Sequence, residues 1–166
     1  MFVFIMRHGD AAFDSISDAM RELTPRGCQE SQKMALWLAQ QLPDIDCVLV
    51  SPYIRAEQTL KVVRESLTLP DSEEVLEELT PSGDAALVAS YLQVLAIQGK
   101  KAVLLVSHLP LVGYLVSELC PVQTPPMFTT SGIACVELDH QTEKGRLLWQ
   151  TSPAHLVTND ISDKRY

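Results

Sequence analysis

Long hydrophobic runs are missing from this chain. The strongest apolar stretches, Phe2-Val3-Phe4-Ile5-Met6 and Ala102-Val103-Leu104-Leu105-Val106, are each far shorter than the roughly 20 residues a bilayer-spanning helix requires. No basic segment precedes the first of them, so a secretory signal is not expected either. An excess of positive charge is also missing. The net charge of −8 argues against a general nucleic-acid binder or a protein drawn to acidic membranes. Cysteine is sparse: Cys28, Cys47, Cys120 and Cys135 are scattered, with no C-x-x-C pair and no zinc-ligand spacing. Each falls in an apolar pattern, so buried, reduced thiols and a cytoplasmic protein are expected. Repeats and low-complexity stretches are absent.

What is present is an ordinary globular composition, 46% hydrophobic and 20% charged, in 166 residues. That length suits a single domain with its own core. The domain is expected over residues 1–152, with a frayed tail over 153–166.

Short apolar strands alternate with amphipathic helices. The strand 2–6 stops at Arg7-His8-Gly9, where glycine is expected to permit a sharp turn. Residues 10–22 read as a polar loop. Thr24-Pro25 reads as an N-cap and first helical residue, followed by the stripe Cys28, Met34, Ala35, Leu38 and Leu42. The strand 47–50 leads into Ser51-Pro52, a second N-cap and first-turn pair, with Ala56, Leu60, Val63 and Leu67 facing the core. Residues 75–79 suggest a short strand. A third helix starts near Asp84 with Leu87, Val88, Tyr91, Leu92 and Leu95 on its apolar side, the strand 102–106 runs into Ser107-His108, and another helix starts near Pro110. Residues 132–138 and 145–151 read as an antiparallel hairpin. The predicted architecture is α/β and three-layered: a mostly parallel central sheet, helices on both faces, a C-terminal antiparallel hairpin and no lid subdomain.

Three predicted strand ends then carry a cation or a potential one: Arg7-His8, Arg55 and His108. In a parallel sheet those ends share one edge, the edge where α/β folds bind ligands. Two guanidiniums beside an imidazole make a phosphate cradle, because each arginine offers planar, forked donors. Helix N-termini near residues 52 and 110 add free N–H groups. Taken singly, each residue has a plainer alternative. Arg55 could be a solvated helix residue, His108 could cap the following helix, and Arg21 is either a solvated loop residue or a rim contact to substrate. His140 and His155 have no assigned function. Met127-Phe128 reads as loop packing or an exposed docking feature. No histidine–carboxylate or cysteine cluster suggests a metal, and no cofactor is expected.

Arg7-His8-Gly9, Ser51-Pro52 with Arg55-Ala56-Glu57-Gln58-Thr59, Ser107-His108 and the segment Leu23-Thr24-Pro25-Arg26-Gly27 resemble the histidine phosphatase superfamily, also called phosphoglycerate mutase-like. Arg7-His8-Gly9-Asp10-Ala11 and His108-Leu109-Pro110-Leu111-Val112-Gly113 are similar, more narrowly, to its small SixA-type phosphohistidine phosphatases. The resemblance implies that His8 is a nucleophile forming a phosphohistidine intermediate. It also implies that Arg7, Arg55 and His108 hold the phosphoryl oxygens, and that the partner is a phosphorylated histidine-containing phosphotransfer domain of a sensor kinase.

The chain departs from larger members in having Ala12 where they carry a polar residue and in having no insertion for a leaving-group acid. Glu77 and Glu78 are the acids nearest the expected position, with neither one, nor any acid, assigned the role. An imidazole leaving group needs such an acid least, since it can be protonated beforehand near neutral pH. A monomer is expected, and docking through a basic patch at Arg7, Arg21 and Arg55. The alternatives are a small-molecule phosphomonoesterase or mutase on the same scaffold, and a catalytically idle phosphoprotein-binding module.

Overall fold

A computed structural model describes residues 1–156. Its first strand, β1 (Phe2–Arg7), is central, although it is the first element of the chain. The elements that follow are α1 (Pro25–Gln40), β2 (Cys47–Val50), α2 (Ile54–Arg64), β3 (Glu74–Val75), α3 (Ala85–Ile97), β4 (Ala102–Ser107), α4 (Leu111–Leu119), β5 (Ile133–Asp139) and β6 (Lys144–Thr151). The sheet of the described residues has the order β3-β2-β4-β1-β5-β6. Strands β3, β2, β4 and β1 run parallel, β5 is antiparallel to β1, and β6 closes a hairpin with β5. This is the predicted α/β architecture.

Alternation along the strands sorts the core into two layers. Val3, Ile5, Val103 and Leu105 pack with Val88, Leu92, Leu95 of α3 and Leu111, Leu115 of α4. Phe4, Met6, Leu104 and Val106 pack on the other face with Met34, Leu38 of α1 and Ala56, Leu60, Val63 of α2. Each such buried aliphatic side chain is worth about 1.5–3 kcal/mol of transfer free energy. A one-residue slip of β1 would turn Arg7 or His8 toward one of these apolar layers, so the core also fixes the register of the site.

Several local expectations need correction. Cys28 is exposed and Cys47 half-buried; only Cys120 and Cys135 are buried as thiols of the core. Leu42 lies past the end of α1, where a positive φ of 51° swings it to 85% exposure. Leu87 is on the outer side of α3, half exposed. The segment expected as one strand over 75–79 is a two-residue strand followed by a 3-10 turn, Glu77–Leu79. That turn presents the Leu79 carbonyl to Ser107 Oγ, 2.6 Å away. Thr24 does cap α1, accepting from the Gly27 N–H at 3.0 Å. Residues 153–156, expected to begin a frayed tail, form a helical turn with Leu156 buried against the α1–α2 layer. The rest of the tail, 157–166, lies outside the described residues. No described helix is long and apolar enough to cross a membrane.

Candidate active site

The register aligns three strand ends. Arg7 pairs with Ser107, and Met6 and Val50 both face Val106. His8, His108 and Ser51 therefore stand one residue beyond the sheet on adjacent strands.

His8 is 6% exposed and fixed at both ends of its peptide: its N–H donates to Ser107 O at 2.9 Å, and its carbonyl accepts from Ser131 N–H at 3.0 Å. Gly9 serves this placement through closeness and not, as expected, through an unusual turn, because its φ is not positive. A Cβ on Gly9 would meet Ser31 Oγ at 2.7 Å and the Gly27 carbonyl at 2.9 Å. A Cβ on Gly27 would meet the Asp10 carbonyl at 2.2 Å. The two glycines let the chain after His8 lie directly on the first turn of α1. The Gly9 N–H also donates to Thr59 Oγ1 at 3.0 Å, tying the same turn to α2.

The imidazole of His8 has a defined tautomer. Its Nδ1 lies 2.7 Å from the Gly9 carbonyl, which can only accept, so Nδ1 carries the proton. The opposite nitrogen, Nε2, accepts from Arg55 Nε–H at 3.3 Å. A neutral ring thus turns its lone pair toward the cations. Burial drives the His8 pKa down to about 4; the Gly9 bond opposes this, and the charges of Arg55, Arg7 and Arg21 add to it.

Arg55 is 3% exposed, in the first turn of α2. That helix starts later than expected. Tyr53 is its N-cap residue, while the Ser51 hydroxyl accepts from the Tyr53 N–H at 3.2 Å and lies 2.7 Å from His108 Nε2. Ser51 is therefore a bridge to His108 and not a helix cap. The outer nitrogens of Arg55 donate to the Asp18 carbonyl and, at 3.2 Å, to the Asp18 carboxylate. Asp18 in turn accepts from Arg21 Nη1 at 3.1 Å. Burial is the largest single influence on Asp18 and pushes its pKa up, but the hydrogen bonds and charges of Arg21 and Arg55 together outweigh it and hold the carboxyl below the usual carboxylate range.

Arg21 faces inward, as an organiser of residues 10–22. Its Nε donates to Ala12 O at 2.9 Å and its Nη2 to Ala11 O at 3.3 Å, and the Phe13 ring lies over its guanidinium at 4.6 Å.

His108 is 1% exposed, its ring 5.0 Å from those of both His8 and Tyr53. Its pKa falls to about 3, through burial first and then the charges of His8 and Arg55. Arg7 donates from Nη1 to the Phe128 carbonyl at 2.9 Å. Two buried polar atoms of this group, Arg7 Nε and His108 Nδ1, have no hydrogen-bond partner among the described residues. Such groups cost roughly 1–3 kcal/mol each unless something pairs with them. Burial, then Arg55 and Arg21, also pull down the pKa of Arg7. The pocket, about 320 Å³, is thus built to receive a compact anion.

Arg7, His8, Arg55, His108 and Arg21 all line that one pocket. Glu77 and Glu78 do not; Glu78 faces a separate groove beside α3. The three arginines of the expected basic docking patch line the pocket, and of them Arg7 is partly exposed. Arg55 is buried and Arg21, 20% exposed in its side chain, is committed to Asp18 and the loop backbone. Met127 and Phe128 divide, with Met127 78% exposed and Phe128 2%. The sequence reading did not single out Asp18, Ser51's hydroxyl or Thr59. The one signal that could have found Asp18 is its three-residue spacing from Arg21, and in an irregular loop that spacing fixes no direction. Among the described residues, no group of three or more histidine, cysteine, aspartate or glutamate side chains could hold a metal ion.

Residues 3–80 match the model of the histidine phosphatase superfamily, branch 1. The chain is 60% identical over 156 residues to phosphohistidine phosphatase SixA of Escherichia coli, covering 94% of this chain and 96% of that protein. It is 38% identical over 173 residues to the SixA homolog of Haemophilus influenzae, covering 100% and 99%. A solved structure of the protein histidine phosphatase SixA complexed with tungstate superposes with a TM-score of 0.92 at 60% identity, over 94% of this chain and 99% of that one.

Proposed function

The chain belongs to the histidine phosphatase superfamily and is a phosphatase, and from that footing we propose that it hydrolyses phosphohistidine on a histidine-containing phosphotransfer domain of a sensor kinase. One observation carries the mechanism: the neutral His8 ring, protonated at Nδ1 by its bond to Gly9 O and turning Nε2 to the cationic pocket.

In the proposed reaction Nε2 attacks phosphorus, the P–N bond of the substrate breaks, and the substrate imidazole leaves neutral because its ring was protonated beforehand. Water then attacks the phosphorus held on Nε2, the P–Nε2 bond breaks, the water proton leaves with the phosphate, and the His8 ring returns neutral and protonated at Nδ1. Arg7 Nε and His108 Nδ1, buried without protein partners, are the natural donors to two phosphoryl oxygens. Ser51 fits the second assignment. Its oxygen accepts from Tyr53 and its own proton can go to His108 Nε2, which leaves the histidine proton on Nδ1. Arg55 meets the charge that develops between nucleophile and leaving group, its plane set by Asp18. Held ionised, Asp18 is a poor acid for an alcohol leaving group. That favours a phosphoramidate over an alkyl phosphate. A relative 60% identical has been solved complexed with tungstate, a phosphate-like oxyanion, which supports an anion-binding role for this fold. The proposed enzyme is a cytoplasmic monomer, one domain whose core includes Leu156, working without a metal ion or cofactor.

The test is a substrate panel with a phosphorylated transfer domain, phosphoserine and sugar phosphates. The domain should be much the best substrate, and rapid quench should trap an acid-labile phosphoenzyme that His8→Ala lacks. Efficient alkyl phosphate turnover with no such intermediate would overturn the proposal.

A further inference from the structure

The pocket keeps its charges inside and shows apolar side chains outside. In the loop 10–22, Phe13 is 88% exposed, Ile16 91% and Met20 47%. Outside that loop, Met127, 78% exposed, immediately precedes Phe128, whose carbonyl accepts from the pocket residue Arg7. These side chains are not exposed because the loop is loose. Arg21 fastens the loop backbone at Ala11 and Ala12, Asp18 fastens it to Arg55, and Ala12 N–H donates to Glu22 O at 2.8 Å. A framework this well tied, holding large apolar groups in water, is organised to receive another surface.

We propose that Phe13, Ile16, Met20 and Met127 form a docking collar for an apolar surface surrounding the phosphorylated histidine of a folded protein partner. This rests on the phosphohistidine reading above and adds what selects the partner. The reacting atoms lie below the rim, with His8 and His108 6% and 1% exposed. A side chain projecting from a folded protein brings its surroundings against the collar, whereas a free phosphohistidine reaches His8 without touching Ile16. A partner chosen by charge would have to find exposed arginines, and Arg55 and Arg21 are buried or committed. A second copy of this chain is a poor occupant, since both would carry a net charge of −8. The collar resembles the centre of a protein interface: apolar, rigid and adjoining one specific polar site.

The experiment compares two substrates, a phosphotransfer domain phosphorylated on histidine and free phosphohistidine, with wild type and an Ile16→Asp/Met20→Ser variant. Neither substituted side chain hydrogen-bonds the pocket. The variant should lose about tenfold or more in kcat/KM on the domain, mainly through KM, and stay within about twofold on free phosphohistidine. Ile16→Leu should restore most of the loss. Raising salt from about 0.1 to about 1 M, which shortens the screening length from about 10 to about 3 Å, should not increase the domain-to-free ratio of KM values. Equal losses on both substrates would overturn the collar, by making it part of the pocket, and so would an unchanged rate on the domain. A wild type inactive on both substrates would instead sink the phosphohistidine reading, and the collar with it.

Discussion

Acidification tests the tautomer and burial of His8 together. An ordinary imidazole with a pKa of 6.5 would be about nine-tenths protonated at about pH 5.5 and so unable to attack. With the pKa lowered to about 4, the ring is almost wholly neutral there. The difference in available nucleophile is about tenfold. Nitrogen-15 NMR of labelled histidine, assigned by the signals that His8→Ala removes, should show a neutral, Nδ1-protonated ring down to about pH 5. Stability should follow with a definite sign. A histidine kept neutral by the fold leaves stability intact above its unfolded pKa of 6.5, and that stability is lost as pH falls toward the folded value of about 4. The slope approaches 1.4 kcal/mol per pH unit, and the whole drop is roughly 3 kcal/mol for this one residue. Denaturant melts of wild type and His8→Ala across that window should show the variant losing less stability on acidification. A titration midpoint near 6.5, or a ring protonated at Nε2, would refute the hydrogen-bond assignment on which the proposed attack depends.

Arg55→Lys should lower kcat by about 10²–10³, because a point charge cannot meet both His8 Nε2 and the Asp18 carboxylate; stopped-flow single turnovers would measure it. Gly27→Ala should destabilise the fold by about 1–3 kcal/mol, since its Cβ would meet the Asp10 carbonyl at 2.2 Å, and the loss would appear in urea melts together with reduced activity. Activity should survive exhaustive chelation with EDTA; loss that returns on adding Mg²⁺ or Zn²⁺ would contradict a cradle charged by arginines alone.

The convergence of Arg7, His8, Arg55 and His108 was legible because it depends on strong, repetitive signals. Apolar runs located the strands, helical stripes located the crossovers, and parallel pairing did the rest. What sequence could not supply was direction within irregular backbone. Ser51-Pro52 has the composition of a helix start, yet the hydroxyl turns to His108 because the helix begins at Ile54. Gly9 looked like a turn residue, and its real demand is space against Gly27 and Ser31. Asp18 carries no periodicity at all, and its bond to Arg55 spans 37 positions. Arg21 was placed correctly in the pocket, but only its partners show that it holds the loop together.

The central position of β1 has a consequence for how the molecule comes into being. Its two sheet neighbours are β4, about a hundred residues later, and β5, later still, while β2 is separated from it by β4. The first half of the chain holds Arg7, His8 and Arg55, yet β1 touches neither β2 nor β3, which within that half pair only with each other. A nascent chain stopped before residue 102 would own most of the pocket's cationic side chains without the strand that brings β1 and β2 into one sheet. Even one reaching Ser107 would lack Ser131, whose N–H secures the His8 carbonyl. Closing such distant pairs makes for slow, all-or-none acquisition of structure. His8 is thus synthesised early, but its surroundings are complete only after Ser131 has joined the sheet edge.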